Sequence, residues 1–230
     1  HTCYYIAGEL DRTVVRSQLI PEAHFRHPLI QKIERECFGG RTRSPHATAA
    51  IHEMTWIIKE KLHVALQRFD LDLIIAENSL TIPLNIPLGM ALVELVMETG
   101  IGCIAHHHDF YWERDRFTVN AVGDLLAMAF PPALPSLQHV TINSFAQQAL
   151  SHRCGQSSVL VPNVLEFEES PGDPDDYASD FRKDIGCEPE DIIFLQPTRV
   201  VPRKGIEHSI ALVAALKNSR CKLVVSHESG

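Results

Sequence analysis

Two clusters in this sequence combine residue types and spacings that do chemistry. The first is Gln196-Pro197-Thr198-Arg199-Val200-Val201-Pro202-Arg203-Lys204-Gly205, set between the apolar run Ile192-Ile193-Phe194-Leu195 and a helical pattern. A loop at the carboxyl end of a strand and the amino end of a helix is where α/β proteins bind anions. Arg199 and Lys204 add full charges there to the partial positive charge of the helix start. Two fixed cations suit a diphosphate, and a diphosphate leaving group suits sugar transfer.

The second cluster is His106-His107-His108-Asp109, at the carboxyl end of a predicted strand over 101–105. Polar groups at that end face the crevice of an open α/β sheet. Consecutive strand residues point to alternate faces, so the three histidines cannot all ligate one metal without a sharp turn. A functional role is expected for at least one of them. Phe110-Tyr111-Trp112-Glu113-Arg114 then supplies aromatic surface beside polar groups, as sugar sites require. A neighbouring strand, Ile74-Ile75-Ala76, runs into Glu77 and Asn78, which are expected on the same rim. They serve either as hydrogen-bonding partners of an acceptor's hydroxyls or as a turn-stabilising pair. The connector from Ile82 to Pro87, stiffened by two prolines, is expected to shape an acceptor pocket.

The elements that must position these residues are legible as alternating strands and helices. Strands are predicted over 2–7, 72–76, 101–105, 138–142, 157–161, 191–195 and 221–225. Their alternation with helical patterns argues for α/β architecture with parallel sheets covered on both faces. The clearest helix is predicted over 45–69, with Ser44 as N-cap, Pro45 in the first turn, and Ile51, Met54, Ile58, Leu62, Ala65 and Phe69 inward. Others are predicted over 87–98, ending at Gly100, over 143–152 and over 176–185. The helix after Lys204 is expected to bury Ile206, Ile210, Val213 and Leu216.

Composition narrows the function further. The chain has 230 residues, 45% hydrophobic and 22% charged, with a net charge of −8. That acidity and the lack of a long basic run argue against nucleic acid as a partner. No apolar run is long enough to span a bilayer. Six scattered cysteines without a CxxC pair read as reduced thiols in a cytoplasm. Glu166, Glu168, Glu169, Asp173, Asp175 and Asp176 read as a solvated linker rather than a metal site. His1 to Ile6 resembles the middle of a strand and Gly230 follows one directly, so the sequence reads as a fragment.

In the order and content of these motifs the chain resembles the retaining glycosyltransferases of family 4. That resemblance implies a GT-B fold, with two Rossmann-like domains facing across a cleft. The family's second domain opens with a strand, Gly-Arg, several residues, Pro-x-Lys-Gly and a helix. Here the match is Thr198-Arg199 through Pro202-Arg203-Lys204-Gly205, with Thr in place of Gly. Val161-Pro162-Asn163-Val164 is similar to the signature that closes the family's first domain. The implied organisation is an acceptor-side domain over 1–162, a linker over 163–189 and the start of a nucleotide-sugar-binding domain over 190–230.

The resemblance also implies roles. Arg199, Lys204 and Gly205 would hold the donor diphosphate. The family's histidine near the transferred sugar corresponds to His108 or, with a one-residue shift, His107. Asp109, Glu77 and Asn78 would line the substrate site. The family is thought to use front-face attack, with the leaving phosphate taking the acceptor proton, so no obligatory protein base is implied. No tightly bound cofactor is expected, although Mg2+ is compatible with the diphosphate. GDP-mannose and UDP-glucose are the favoured donors, and a small hydroxylated or sugar molecule the acceptor. A more detailed likeness, through Glu77-Asn78, Pro83 to Pro87 and the run from His106 to Arg114, is to enzymes of the mannosylglucosylglycerate synthase type. The family's Gly-rich loop and its pair of glutamates seven residues apart have no counterpart here, and this stretch alone is expected to lack transfer activity. Two rivals stand beside this reading: a metal-dependent hydrolase built on His106 to Asp109 with Glu77, and a non-catalytic nucleotide-sugar-binding module.

Overall fold

In the computed structural model, residues 1–11, 14–165, 168, 172–173 and 175–227 are described. Glu166 and Glu169 of the acidic linker, and Glu228, lie outside them. The chain is mixed α/β with parallel strands and divides into two compact units, His1–Val164 and Leu165–Gly230.

The first unit begins with a parallel pair, β1 (Tyr5–Ala7) and β2 (Ser17–Leu19). Helices α1 (Pro28–Cys37) and α2 (Pro45–Phe69) follow. Then come β3 (Leu73–Glu77), α3 (Ile86–Thr99), β4 (Gly102–His107), α4 (Gly123–Ala129), β5 (Leu137–Thr141), α5 (Ser144–Cys154) and β6 (Ser158–Leu160). Strands β3 to β6 form one parallel sheet in that order.

Local signals set the helix ends. The Ser44 hydroxyl accepts the Ala47 N–H at 3.0 Å, capping α2 where Pro45 has no N–H to lose. Asn85 and Asn143 cap α3 and α5 in the same way, through Leu88 and Ala146. Gly100 ends α3 in the left-handed region, at φ 69°. All six apolar positions predicted for α2 are buried. Helix α3 is buried on most sides, from Ile86 to Val96.

Adjacent parallel strands need right-handed crossovers. Because the order β3-β4-β5-β6 never reverses, successive crossovers fall on one face. Ala76, Cys103 and Ala105 on that face join α2, α3 and α4 in a single core. The opposite face of β3 is not covered: Leu73 is 47% and Ile75 58% exposed. Cover on both faces, as expected from the sequence, is thus not seen at β3 among the described residues. The connector from Ile82 to Pro87 is mostly buried, with the Asn85 side chain donating to the Glu22 carbonyl at 2.9 Å.

The second unit holds two short helices, α6 (Asp176–Ser179) and α7 (Phe181–Asp184), in place of the one predicted over 176–185. A strand–helix–strand unit follows: β7 (Ile192–Gln196), α8 (Ile206–Ala215) and β8 (Cys221–Val225), with β7 and β8 parallel. Of the residues expected inside α8, Ile206 and Val213 are half-buried, while Ile210 and Leu216 are exposed.

Candidate active site

The β3–β4 register sets Glu77 directly opposite His106. Strand alternation then sends His106 and Glu77 to the open face of the sheet and His107 to the helix-covered face. His108, just past the strand, returns to the side of His106. The Glu77 carboxylate lies 3.0 Å from His106 Nδ1 and 3.3 Å from His108 Nε2. Ligand atoms from these three residues all lie within 4.8 Å of one another. Glu77 is 62%, His108 40% and His106 20% exposed at the side chain, so the group is open to solvent.

His107 is 0% exposed. Burial pushes its imidazole pKa down to about 3, with repulsion from His139 adding to the effect, so the ring is neutral near pH 7. Its Nε2 lies 2.8 Å from His139 Nδ1, and its Nδ1 meets the Thr81 hydroxyl. Thr81, His107 and His139 thus form a buried polar chain that ties the end of β4 to β5 and to the segment after β3. His107 is enclosed in that chain, while His108 faces solvent.

Asn78 sits in the left-handed region, at φ 54°, which Asn tolerates better than most residues. Its N–H donates to the His106 carbonyl at 2.9 Å. Its side-chain oxygen accepts the His108 N–H at 3.1 Å, and its Nδ2 donates to Asp109 at 2.9 Å. Asp109 also takes two hydrogen bonds from Arg114, the one from Nε at 2.8 Å. Both polar groups of the Asn78 side chain are thus engaged within the turn. Asp109 is three-quarters buried and acts as its anchor.

Beside His108 lies a groove of about 450 Å³, lined by Trp112, Glu113, Asn143, Phe145 and Arg153 among others. Trp112 stacks on Phe110 at 4.4 Å between ring centres, and the Arg153 guanidinium lies 5.4 Å from the Trp112 ring. Phe145 is largely exposed at the groove. Desolvation raises the Glu113 carboxyl pKa. Sequence reasoning did not identify Thr81, His139, Arg153 or the anchoring role of Arg114. Only Arg114, in a run already marked as polar and aromatic, carried a local signal.

In the second unit, Arg199 and Lys204 are exposed in the loop from β7 to α8, and neither side chain has a partner among the described residues. Gln196 pins that loop. Its Nε2 donates to Thr198 Oγ1 and to the Lys204 carbonyl, each at 3.2 Å, and its Oε1 accepts from the Ser209 hydroxyl. Gly205 is the N-cap of α8 at φ 62°. A Cβ there would sit 3.0 Å from the His208 ring, besides being strained by the left-handed backbone.

All six cysteines are free thiols, and among the described residues no helix is long and apolar enough to cross a membrane. No protein-family model matches the chain. It is similar to two curated proteins, each named mannosylglucosylglycerate synthase. That of Petrotoga mobilis is 35% identical over 175 residues, covering 75% of this chain and 40% of the relative. That of Thermotoga maritima is 34% identical over 203 residues, covering 87% of this chain and 46% of the relative. The chain thus spans less than half the length of these relatives.

Proposed function

We propose that the protein is a retaining glycosyltransferase, moving a sugar from a nucleotide-diphosphate sugar to a small hydroxylated or sugar acceptor. A mannosyl donor, GDP-mannose, is the first choice and UDP-glucose the second; glucosylglycerate is the first acceptor. The observation that carries this reading is the pair of exposed cations, Arg199 and Lys204, at the start of α8. Similarity to two proteins named as sugar-transferring synthases supports it.

Breaking the donor's glycosidic bond builds negative charge on the departing diphosphate and an oxocarbenium-like centre on the sugar. Arg199, Lys204 and the helix N-terminus answer the first, already oriented before charge develops. Arg199 grips two phosphate oxygens, Lys204 supplies a point charge, and Gly205 lets a phosphate approach the backbone. His108 orients the sugar, with His107 fixed behind it. Asn78 and Asp109 hold the His108 backbone in place. Glu77 accepts from an acceptor hydroxyl or from His108. Trp112 and Phe145 provide apolar faces against which sugar rings pack.

The test is a donor screen on the full-length protein. GDP-mannose, UDP-glucose, UDP-GlcNAc and ADP-glucose are each supplied with and without glucosylglycerate, and nucleotide-diphosphate release is followed. The proposal expects acceptor-stimulated release from one donor. Release that needs added metal but no acceptor would favour the hydrolase, and binding without release the non-catalytic module.

A further inference from the structure

The convergence of Glu77, His106 and His108 has a use beyond sugar transfer. We propose that these three side chains bind one divalent transition-metal ion of the Zn2+ class, and that filling this site withdraws His108 from the sugar. The second half rests on the transferase reading above; the first does not.

The geometry is set by backbone that is already ordered. Hydrogen-bonded pairing of β3 with β4 places Glu77 against His106. The Asn78 side-chain oxygen accepts the His108 backbone N–H at 3.1 Å, which fixes the backbone that carries the third ligand. Ligand atoms bound to one zinc ion at about 2.0–2.2 Å in near-tetrahedral or octahedral angles lie roughly 2.9–3.5 Å apart. The carboxylate here is 3.0 Å from His106 Nδ1 and 3.3 Å from His108 Nε2. Both carboxylate–imidazole pairs therefore already have the spacing an ion needs, and the two imidazole nitrogens, within 4.8 Å of each other, close on it by side-chain rotation. Solvent exposure of Glu77 and His108 gives the ion a way in and leaves its remaining positions to water.

The donor set selects the ion. Two imidazoles and one carboxylate suit Zn2+, Co2+, Fe2+ or Mn2+, whereas Mg2+ prefers oxygen ligands and gives up water reluctantly. Nε2 of His108 is the contested atom. Coordinated to the ion, it cannot also hydrogen-bond a sugar hydroxyl, so metal and donor sugar compete for it.

Titration of the metal-free protein with Co2+, followed by visible absorption and then by displacement with Zn2+, tests the site without reference to activity. The expected result is one equivalent bound through nitrogen and oxygen ligands. Glu77→Gln and His106→Gln should each weaken binding at least tenfold while leaving tryptophan fluorescence native. No cobalt spectrum, an intense thiolate charge-transfer band, or binding unchanged in both variants would overturn the site. For the second half, Zn2+ at saturation should slow sugar transfer by wild type, a chelator should restore it, and His106→Gln should resist it. Zinc that binds yet leaves transfer unchanged or speeds it would overturn the competition. Failure of the transferase reading would show separately, as no turnover in the metal-free protein.

Discussion

Replacing Asn78 should reveal how the turn beneath His108 is held. Its side chain makes two hydrogen bonds, to the His108 N–H at 3.1 Å and to the Asp109 carboxylate at 2.9 Å, from a backbone at φ 54°. Removing the neutral bond costs about 1 kcal/mol and the charge-assisted one about 1.5–2 kcal/mol. An alanine held in the left-handed region adds about 1 kcal/mol. Asn78→Ala is thus expected to lose roughly 3–4 kcal/mol, and Asn78→Gly, relieved of the backbone strain, roughly 2–3 kcal/mol. Asn78→Asp keeps the acceptor for His108 but sets a second carboxylate against Asp109, and should lose at least as much as alanine. Urea unfolding followed by tryptophan fluorescence suits the measurement, because Trp56 and Trp112 are the chain's two tryptophans and both lie in the first unit. Stability of the alanine variant within about 0.5 kcal/mol of wild type, or a glycine variant less stable than alanine, would refute the reasoning.

Three further outcomes are expected. His107→Ala strands the buried Thr81 hydroxyl and His139 ring, at about 1–3 kcal/mol for each group left unpaired; urea unfolding should show a large loss of stability, with nucleoside-diphosphate affinity little changed. Arg43 bonds both oxygens of Asp124, at 2.7 and 2.6 Å, and so holds its carboxyl pKa at about 2 against a usual 3.8. A depressed carboxyl stabilises the fold above its unfolded value and loses that contribution as pH falls through its folded one. Acid titration of Asp124→Asn should therefore differ less from wild type at pH 2 than at pH 5, by about 1 kcal/mol at most because Asp124 is 57% exposed. Gln196→Ala removes the clamp on the loop from Thr198 to Lys204, and hydrogen exchange there should quicken while β8 stays protected.

How much was legible in the sequence depended on how local each signal was. Helix α2 was readable to its ends because Ser44, Pro45 and six apolar residues at helical spacing all agree. Helix α1 has Pro28 at its start but no side-chain cap, and α4 begins at Gly123 after an uncapped Val122, so neither start is marked as fully as that of α2. That His107 parts from its neighbours was legible, because consecutive strand residues point to alternate faces. Which histidine reaches solvent was not, since Thr81 and His139 are 26 and 32 residues from His107 and meet it only through the sheet order. The open face of β3 was hidden for the same reason: whether a parallel sheet is covered once or twice depends on where the strand order reverses. The exposed Ile210 and Leu216 show the converse, since helical periodicity marks an apolar face without saying what covers it.

The central claim is that Arg199 and Lys204 hold a diphosphate, and calorimetric titration with the product nucleoside diphosphate tests it most directly. Wild-type protein should bind GDP or UDP. Arg199→Ala and Lys204→Ala should each weaken that binding about 10- to 150-fold, the loss of a charge-assisted contact of roughly 1.5–3 kcal/mol, with a steep fall in turnover. Affinity and turnover unchanged in both variants would contradict the account.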